Sequence, residues 1–148
     1  MIQKTVLIID DEQGFVEALQ DALIFEGNRV LTARSGSEAL AILKSNHIDL
    51  ATVDIMMPPG ESLERFVDSH HTGVYLCETI KKNYPKTGIL CISVVTDQDT
   101  IKSIRTLGVQ FLKKGEVPLR TLLAMIRSKL TGIAYSTDPN FDKQGYRK

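Results

Sequence analysis

Four short apolar runs, each closed by polar side chains, constrain this chain more than any other feature. The runs and their closing residues are Val6-Leu7-Ile8-Ile9 before Asp10 and Asp11, Leu50-Ala51-Thr52-Val53 before Asp54, Ile89-Leu90-Cys91-Ile92 before Ser93, and Val109-Gln110-Phe111-Leu112 before Lys113 and Lys114. Apolar runs of this length, separated by segments of helical periodicity, are typical of buried parallel strands. With a further strand predicted at Arg29 to Ala33, the pattern indicates an α/β fold, a doubly wound five-stranded parallel sheet with helices on both faces.

The polar residues that close the runs are predicted to meet at one site. The carboxyl ends of parallel strands lie along one edge of the sheet, where such folds bind their ligands. Three carboxylates that converge there repel one another, and a divalent cation with oxygen ligands relieves that repulsion. A cation, the Lys114 amine and the Ser93 hydroxyl around Asp54 would suit a phosphoryl group.

Composition and charge exclude several other classes of protein. The 148 residues, 43% of them apolar, fit one domain with a normal core. Eighteen basic residues balance eighteen acidic ones, which argues against direct binding of nucleic acid. No stretch approaches the ~20 apolar residues of a membrane helix, and the N-terminal apolar run is too short for a signal peptide. We therefore expect a soluble cytoplasmic protein with no membrane partner, in which Cys77 and Cys91 are reduced core thiols.

Two segments interrupt the alternation of strands and helices. Residues 58–72 are expected to be an inserted loop in a domain that spans residues 1–131, since such loops usually have about 2–6 residues. Within this insertion Leu63, Phe66 and Val67 lie at helix-like spacing. They could form an apolar face that selects a partner, or pack back onto the third or fourth helix. Residues 132–148 lack periodicity and are expected to be a tail or linker stub.

Taken in order, the residues at the strand ends resemble the receiver domain of response regulators, the phosphoacceptor half of two-component signalling. The matching features, over roughly residues 4–130, are the pair Asp10 and Asp11, the acceptor loop Asp54-Ile-Met-Met-Pro58, Ser93, and Lys114 with the aromatic Phe111 three residues before it. Each feature alone occurs by chance, but all five in order, each at a strand end, identify the family. The resemblance implies the flavodoxin-like strand order 2-1-3-4-5.

The resemblance also implies a metal site and an acceptor. Asp54 would take a phosphoryl group from a phosphohistidine. Asp11, Asp54 and the backbone carbonyl of Met56 would bind Mg²⁺ directly, and Asp10 would act partly through water. A metal that keeps several waters and few protein ligands suits so sparse a site.

The remaining matched residues would contact the phosphoryl group or change position when it is present. Lys114 would contact one phosphate oxygen, and Ser93 would hydrogen-bond another after phosphorylation. Ser93 and Phe111 would be the switch positions. The implied partners are a sensor histidine kinase or a histidine phosphotransfer protein and a downstream protein target, and a homodimer stays open.

Two other functions stay open at this point. The first is a phosphatase with an aspartyl-phosphate intermediate, which should carry an acid or base two residues after its nucleophile. This chain has Met56 there, and a thioether cannot transfer protons. The second is a receiver-like scaffold that is never phosphorylated, and the intact acidic triad with Lys114 argues against it. We expect a signalling phosphoacceptor and not an enzyme, either acting alone or cut from a longer regulator.

Overall fold

The computed structural model describes residues 2–132, where five strands alternate with five helices. The strands are β1 (Thr5–Ile9), β2 (Arg29–Ala33), β3 (Leu50–Val53), β4 (Gly88–Ser93) and β5 (Gln110–Lys113). The helices are α1 (Gln13–Phe25), α2 (Gly36–Ser45), α3 (Thr72–Asn83), α4 (Gln98–Thr106) and α5 (Leu119–Thr131). The predicted tail lies outside the described residues, except for Gly132.

The strands form one parallel sheet in the order β2-β1-β3-β4-β5. This confirms the predicted doubly wound, flavodoxin-like fold. β3 is buried along its whole length, because helices cover both faces of the sheet. Paired residues at the carboxyl ends are Ile9 with Val53 and Ser93 with Lys113, so the segments that leave these strands start from the same edge.

Helices divide between the two faces of the sheet and give two apolar clusters. One cluster packs α1 and α5 on the sheet, and its helical members include Leu19, Leu23, Leu122 and Ile126. The other packs α2, α3 and α4, and its helical members include Ala39, Leu43, Leu76, Cys77, Ile80 and Ile104. Cys77 and Cys91 are free and buried, as predicted. No helix within residues 2–132 is long and apolar enough to cross a membrane.

The three apolar residues of the insertion do not share one face. Leu63 is 4% exposed and Val67 is also buried, whereas Phe66 is 79% exposed. The turn through these residues therefore points two apolar side chains inward and one into solvent. The insertion also ends one residue earlier than expected, because α3 begins at Thr72.

The insertion packs on the N-terminus of α2, which neither sequence-based alternative anticipated. The first helical amides of α2 donate to the insertion, Gly36 N to the Pro58 carbonyl at 3.0 Å and Ser37 N to the Pro59 carbonyl at 2.8 Å. A Cβ at Gly36 would lie 2.8 Å from Leu63 Cδ1, so the apolar contact is made across a glycine. Free amides at a helix N-terminus need acceptors, and the two proline carbonyls supply them.

Candidate functional site

Three carboxylates gather at the carboxyl edge of the sheet, as the strand ends predict. Asp10 and Asp11 follow β1 and Asp54 follows the neighbouring β3, and carboxylate oxygens from all three lie within 4.8 Å of one another. The Asp54 amide donates to the Ile9 carbonyl at 2.9 Å, which continues the β1–β3 pairing up to Asp54. Asp10 and Asp54 are 3% and 5% exposed, and Asp11 faces solvent.

The surroundings of Asp10 disfavour the charged form of its carboxyl group. Burial raises its pKa to about 6, and repulsion from Asp54 acts in the same direction. A 2.7 Å ion pair with the Lys114 ammonium and a 2.8 Å hydrogen bond from the Glu12 amide to Oδ1 only partly offset that rise. The protein thus keeps a partly buried acidic cluster that would gain from an additional positive charge.

Lys114 provides the fixed positive charge of the cluster. Its Nζ lies 2.7 Å from Asp10 Oδ2, 2.9 Å from Glu12 Oε2 and 3.3 Å from Asp54 Oδ2. Burial lowers the pKa of this ammonium, but hydrogen bonds to Asp10 and Glu12 raise it more, so the group stays charged. The ring centroid of Phe15 lies 4.6 Å from Nζ, within the range of a cation–π contact.

Ser93 and Phe111 lie at the positions expected on β4 and β5. Ser93 is fully buried, and its Oγ accepts a long 3.4 Å hydrogen bond from the Val95 amide. Its carbonyl accepts from the Lys114 amide at 3.0 Å, which ties the end of β4 to the lysine. Phe111 is half-buried, pairs with Cys91 in the sheet and packs on the cluster under α3 and α4.

The donor set fits a divalent cation. Asp54 Oδ1 is buried and has no hydrogen-bond partner within the described residues. A buried carboxylate oxygen without a partner is costly, and Mg²⁺ prefers carboxylate oxygens as ligands. Met56, the predicted carbonyl ligand, lies two residues after Asp54 in the same loop, and its side chain is partly exposed.

Sequence reasoning missed three residues beside this cluster. Glu12 forms an ion pair with Lys114, Phe15 lies under the Lys114 ammonium, and Gly73 lies against the backbone of Asp54. A Cβ at Gly73 would lie 2.3 Å from the Asp54 carbonyl oxygen, and the Gly73 amide donates to the Ile55 carbonyl at 2.9 Å. The position of Glu12 directly after the acidic pair was an available signal, whereas Phe15 fits the apolar face of α1 equally well.

Comparison with known proteins identifies the same family that the sequence motifs resemble. Residues 6–127 match the family model of the response regulator receiver domain. The chain is 32% identical over 127 residues to the response regulator SaeR of Staphylococcus aureus (strain USA300). That match covers 85% of this chain and 50% of SaeR, so the chain spans half the length of the curated relatives it matches.

Solved structures show the same fold. A CheY-like response regulator receiver domain protein from Methanospirillum hungatei JF-1 superposes with a TM-score of 0.75 at 26% identity, over 88% of this chain and 96% of that one. The non-phosphorylated HemR receiver domain from Leptospira biflexa superposes with a TM-score of 0.72 at 23% identity, over 94% and 100% of the two chains. With the match to the family model over residues 6–127, these findings show that the chain belongs to the response regulator receiver domain family.

Proposed function

We propose that this chain is a phosphorylation-controlled signalling module of a two-component phosphorelay, with Asp54 as the phosphoacceptor. The observation that carries the proposal is the buried Asp54 Oδ1, which has no hydrogen-bond partner among the described residues. A structural aspartate has its oxygens occupied, as in Asp49, which accepts from the Thr5 amide and contacts His47. The Asp54 carboxylate is instead buried, oriented by Lys114 and left with one oxygen unused by the fold.

Each step of the transfer has a group to perform it. A carboxylate oxygen of Asp54 would bond to phosphorus while the bond from the donor imidazole nitrogen to phosphorus breaks, and the imidazole keeps that electron pair. Lys114 would balance charge on one phosphoryl oxygen. The Ser93 hydroxyl would hydrogen-bond another, at the cost of its weak bond from the Val95 amide. Phe111, packed beside β4, would respond to that movement of Ser93.

The acidic cluster would hold Mg²⁺ beside the acceptor. Asp11 and Asp54 would bind directly with the Met56 carbonyl, and Asp10 would act partly through water. When bound, the cation supplies positive charge that neutralises the phosphoryl oxygens and the acceptor. Burial, with a smaller contribution from repulsion by Asp54, raises the pKa of Asp10, and a bound cation would favour its charged form.

The proposed partners are those expected for a response regulator receiver domain that takes its phosphoryl group from a phosphohistidine. We propose a sensor histidine kinase or a histidine phosphotransfer protein as donor, a downstream protein as target, and the cytoplasm as the compartment. We propose the role of a signalling module that catalyses its own phosphorylation and hydrolysis, without turnover of a separate substrate.

Intact-mass analysis after treatment with acetyl phosphate and Mg²⁺ tests the acceptor. The parent should gain one phosphoryl group that is released by hydroxylamine, as an acyl phosphate is. Asp54→Asn should gain none. Asp21→Asn is the matched control, since Asp21 is exposed on α1, and it should be labelled like the parent. Labelling that persists in Asp54→Asn would place the acceptor elsewhere.

A further inference from the structure

We propose that Glu12 is a positioning residue that competes with the incoming phosphoryl group for Lys114. The inference rests on the proposed function, because it concerns how the lysine becomes available to phosphate. Glu12 Oε2 lies 2.9 Å from Lys114 Nζ, across 102 positions of sequence. Glu12 therefore links the start of α1 to the end of β5 directly above the acceptor.

The three hydrogen-bond donors of Lys114 face three carboxylates. An ammonium has three N–H groups, and Asp10, Glu12 and Asp54 lie within 3.3 Å of Nζ. A phosphoryl oxygen that binds Lys114 therefore competes with these carboxylates for its three N–H groups. The Phe15 ring at 4.6 Å lies beside the ammonium and offers no room for an additional acceptor on that side.

Glu12 is the carboxylate that can leave at least cost. Its side chain is 59% exposed, whereas those of Asp10 and Asp54 are 3% and 7% exposed. An exposed carboxylate that turns into water is hydrated at once, whereas a buried one left without its partner is not. Asp10 and Asp54 also belong to the cluster that would hold the cation. The Glu12 contact is thus the one that the phosphoryl group would replace.

The helix that Glu12 precedes gives independent support. Glu12 is the N-cap residue of α1, yet its side chain makes no cap hydrogen bond. N-cap positions favour Asp, Asn, Ser and Thr, whose short side chains reach the free amides of the first turn. In α2 and α4 the N-caps Ser35 and Asp97 do so. A glutamate at this position leaves the cap unmade and directs its carboxylate to Lys114.

Two substitutions separate the contact from the charge. Glu12→Gln removes the negative charge and weakens the hold on Lys114. Glu12→Asp keeps the charge but is one methylene shorter, and it should turn to cap α1, which would release Lys114 and raise the melting temperature. Glu116→Gln is the matched control, since Glu116 is an exposed carboxylate on the neighbouring loop that lies 3.5 Å from Lys113 instead.

The measurement is the affinity for beryllofluoride, a phosphoryl mimic, by isothermal titration calorimetry at saturating Mg²⁺. Exposed ion pairs are worth roughly 0.2–1 kcal/mol, so both Glu12 variants should bind beryllofluoride about 1.4- to fivefold more tightly than the parent. Glu116→Gln should bind like the parent. The affinity of Glu12→Asp for Mg²⁺, measured without beryllofluoride, should equal that of the parent. A substitution that disturbed the whole acidic cluster would change the Mg²⁺ affinity as well.

The outcomes distinguish this inference from the proposed function. A parent that binds no beryllofluoride with Mg²⁺ present would refute the proposed function, and the role of Glu12 with it. If the parent binds beryllofluoride and Glu12→Asp binds it with equal affinity, any gain in Glu12→Gln is an effect of charge alone. That result would overturn the proposed competition. Equal gains in Glu12→Gln and Glu116→Gln, or weaker binding in either Glu12 variant, would overturn it as well.

Discussion

Replacing Gly73 with alanine should destabilise the fold and disturb the acceptor, although alanine is the better helix former. Gly73 is the second residue of α3, and a Cβ there would lie 2.3 Å from the Asp54 carbonyl oxygen and 2.4 Å from Ile55 Cα. Ordinary contacts between such atoms are about 3.5–4.0 Å, so α3 and the acceptor backbone must separate by about 1 Å. That movement also stretches the 2.9 Å hydrogen bond from the Gly73 amide to the Ile55 carbonyl.

The magnitude follows from these two losses. Overpacking in a dense region costs about 1–3 kcal/mol. A weakened buried hydrogen bond adds about 1 kcal/mol. We therefore expect the free energy of unfolding to fall by about 2–4 kcal/mol, which for a domain of this size lowers the melting temperature by about 6–13 °C. Labelling of Asp54 by acetyl phosphate should slow in the same variant, since the carboxylate moves with its backbone.

Gly14 gives a matched control at the same helical position. It is the second residue of α1, and no neighbouring atom of residues 2–132 lies within 4 Å of the place where its Cβ would stand. Gly14→Ala should stabilise the fold by about 0.5–1 kcal/mol, because alanine loses less conformational entropy in a helix. Urea unfolding of both variants measures the two effects. A Gly73→Ala protein as stable as the parent, or shifted in the same direction as Gly14→Ala, would refute the reasoning.

Two further predictions concern the insertion and the acidic cluster. Leu63→Ala should weaken the packing of the insertion by about 2–3 kcal/mol, seen as faster hydrogen exchange of the Ser37 amide, whereas Phe66→Ala should change it by less than about 0.5 kcal/mol. Equal exchange rates in the two variants would contradict the packing described. In metal-free protein, Asp10 with a pKa of about 6 against an ordinary 3.8 retains a proton that the unfolded chain loses, so its contribution to stability is present below about pH 4 and is lost as the pH rises to about 6. Between pH 4 and pH 7, the free energy of unfolding of Asp10→Asn, measured by urea titration, should therefore rise by on the order of 2–3 kcal/mol relative to that of the parent. The lost ion pair with Lys114 reduces this gain. A difference between the two proteins that stays constant across that range would contradict the prediction.

The fold could be predicted because burial on both faces leaves a simple signal. A strand such as β3, buried along its whole length, is apolar at every position except Thr52, and its end is marked where Asp54 interrupts the run. The same argument predicted that Asp10, Asp11, Asp54 and Lys114 would converge, and the structure brings them together. Their functional roles stay predictions.

The contacts beyond the strand ends could not be predicted, because they depend on how far a side chain reaches. Glu12 meets Lys114 only because α1 starts where β5 ends, and no periodicity encodes that distance. The packing of the insertion could not be predicted for another reason. Leu63, Phe66 and Val67 lie at spacings that suit one helical face, but the segment forms turns around Gly36, so Phe66 is directed to solvent.

The two ends of the insertion explain how a long loop can leave the position of Asp54 undisturbed. At its start, the carbonyls of Pro58 and Pro59 accept from the first amides of α2, so the chain is fixed four residues after Asp54. At its end, Gly73 packs against the Asp54 carbonyl, and its amide bonds to Ile55. The loop that carries Asp54 is thus held from both sides by helices of the fold. Loop length adds little strain once the ends are fixed, so the insertion can expose Phe66 without moving the carboxylate.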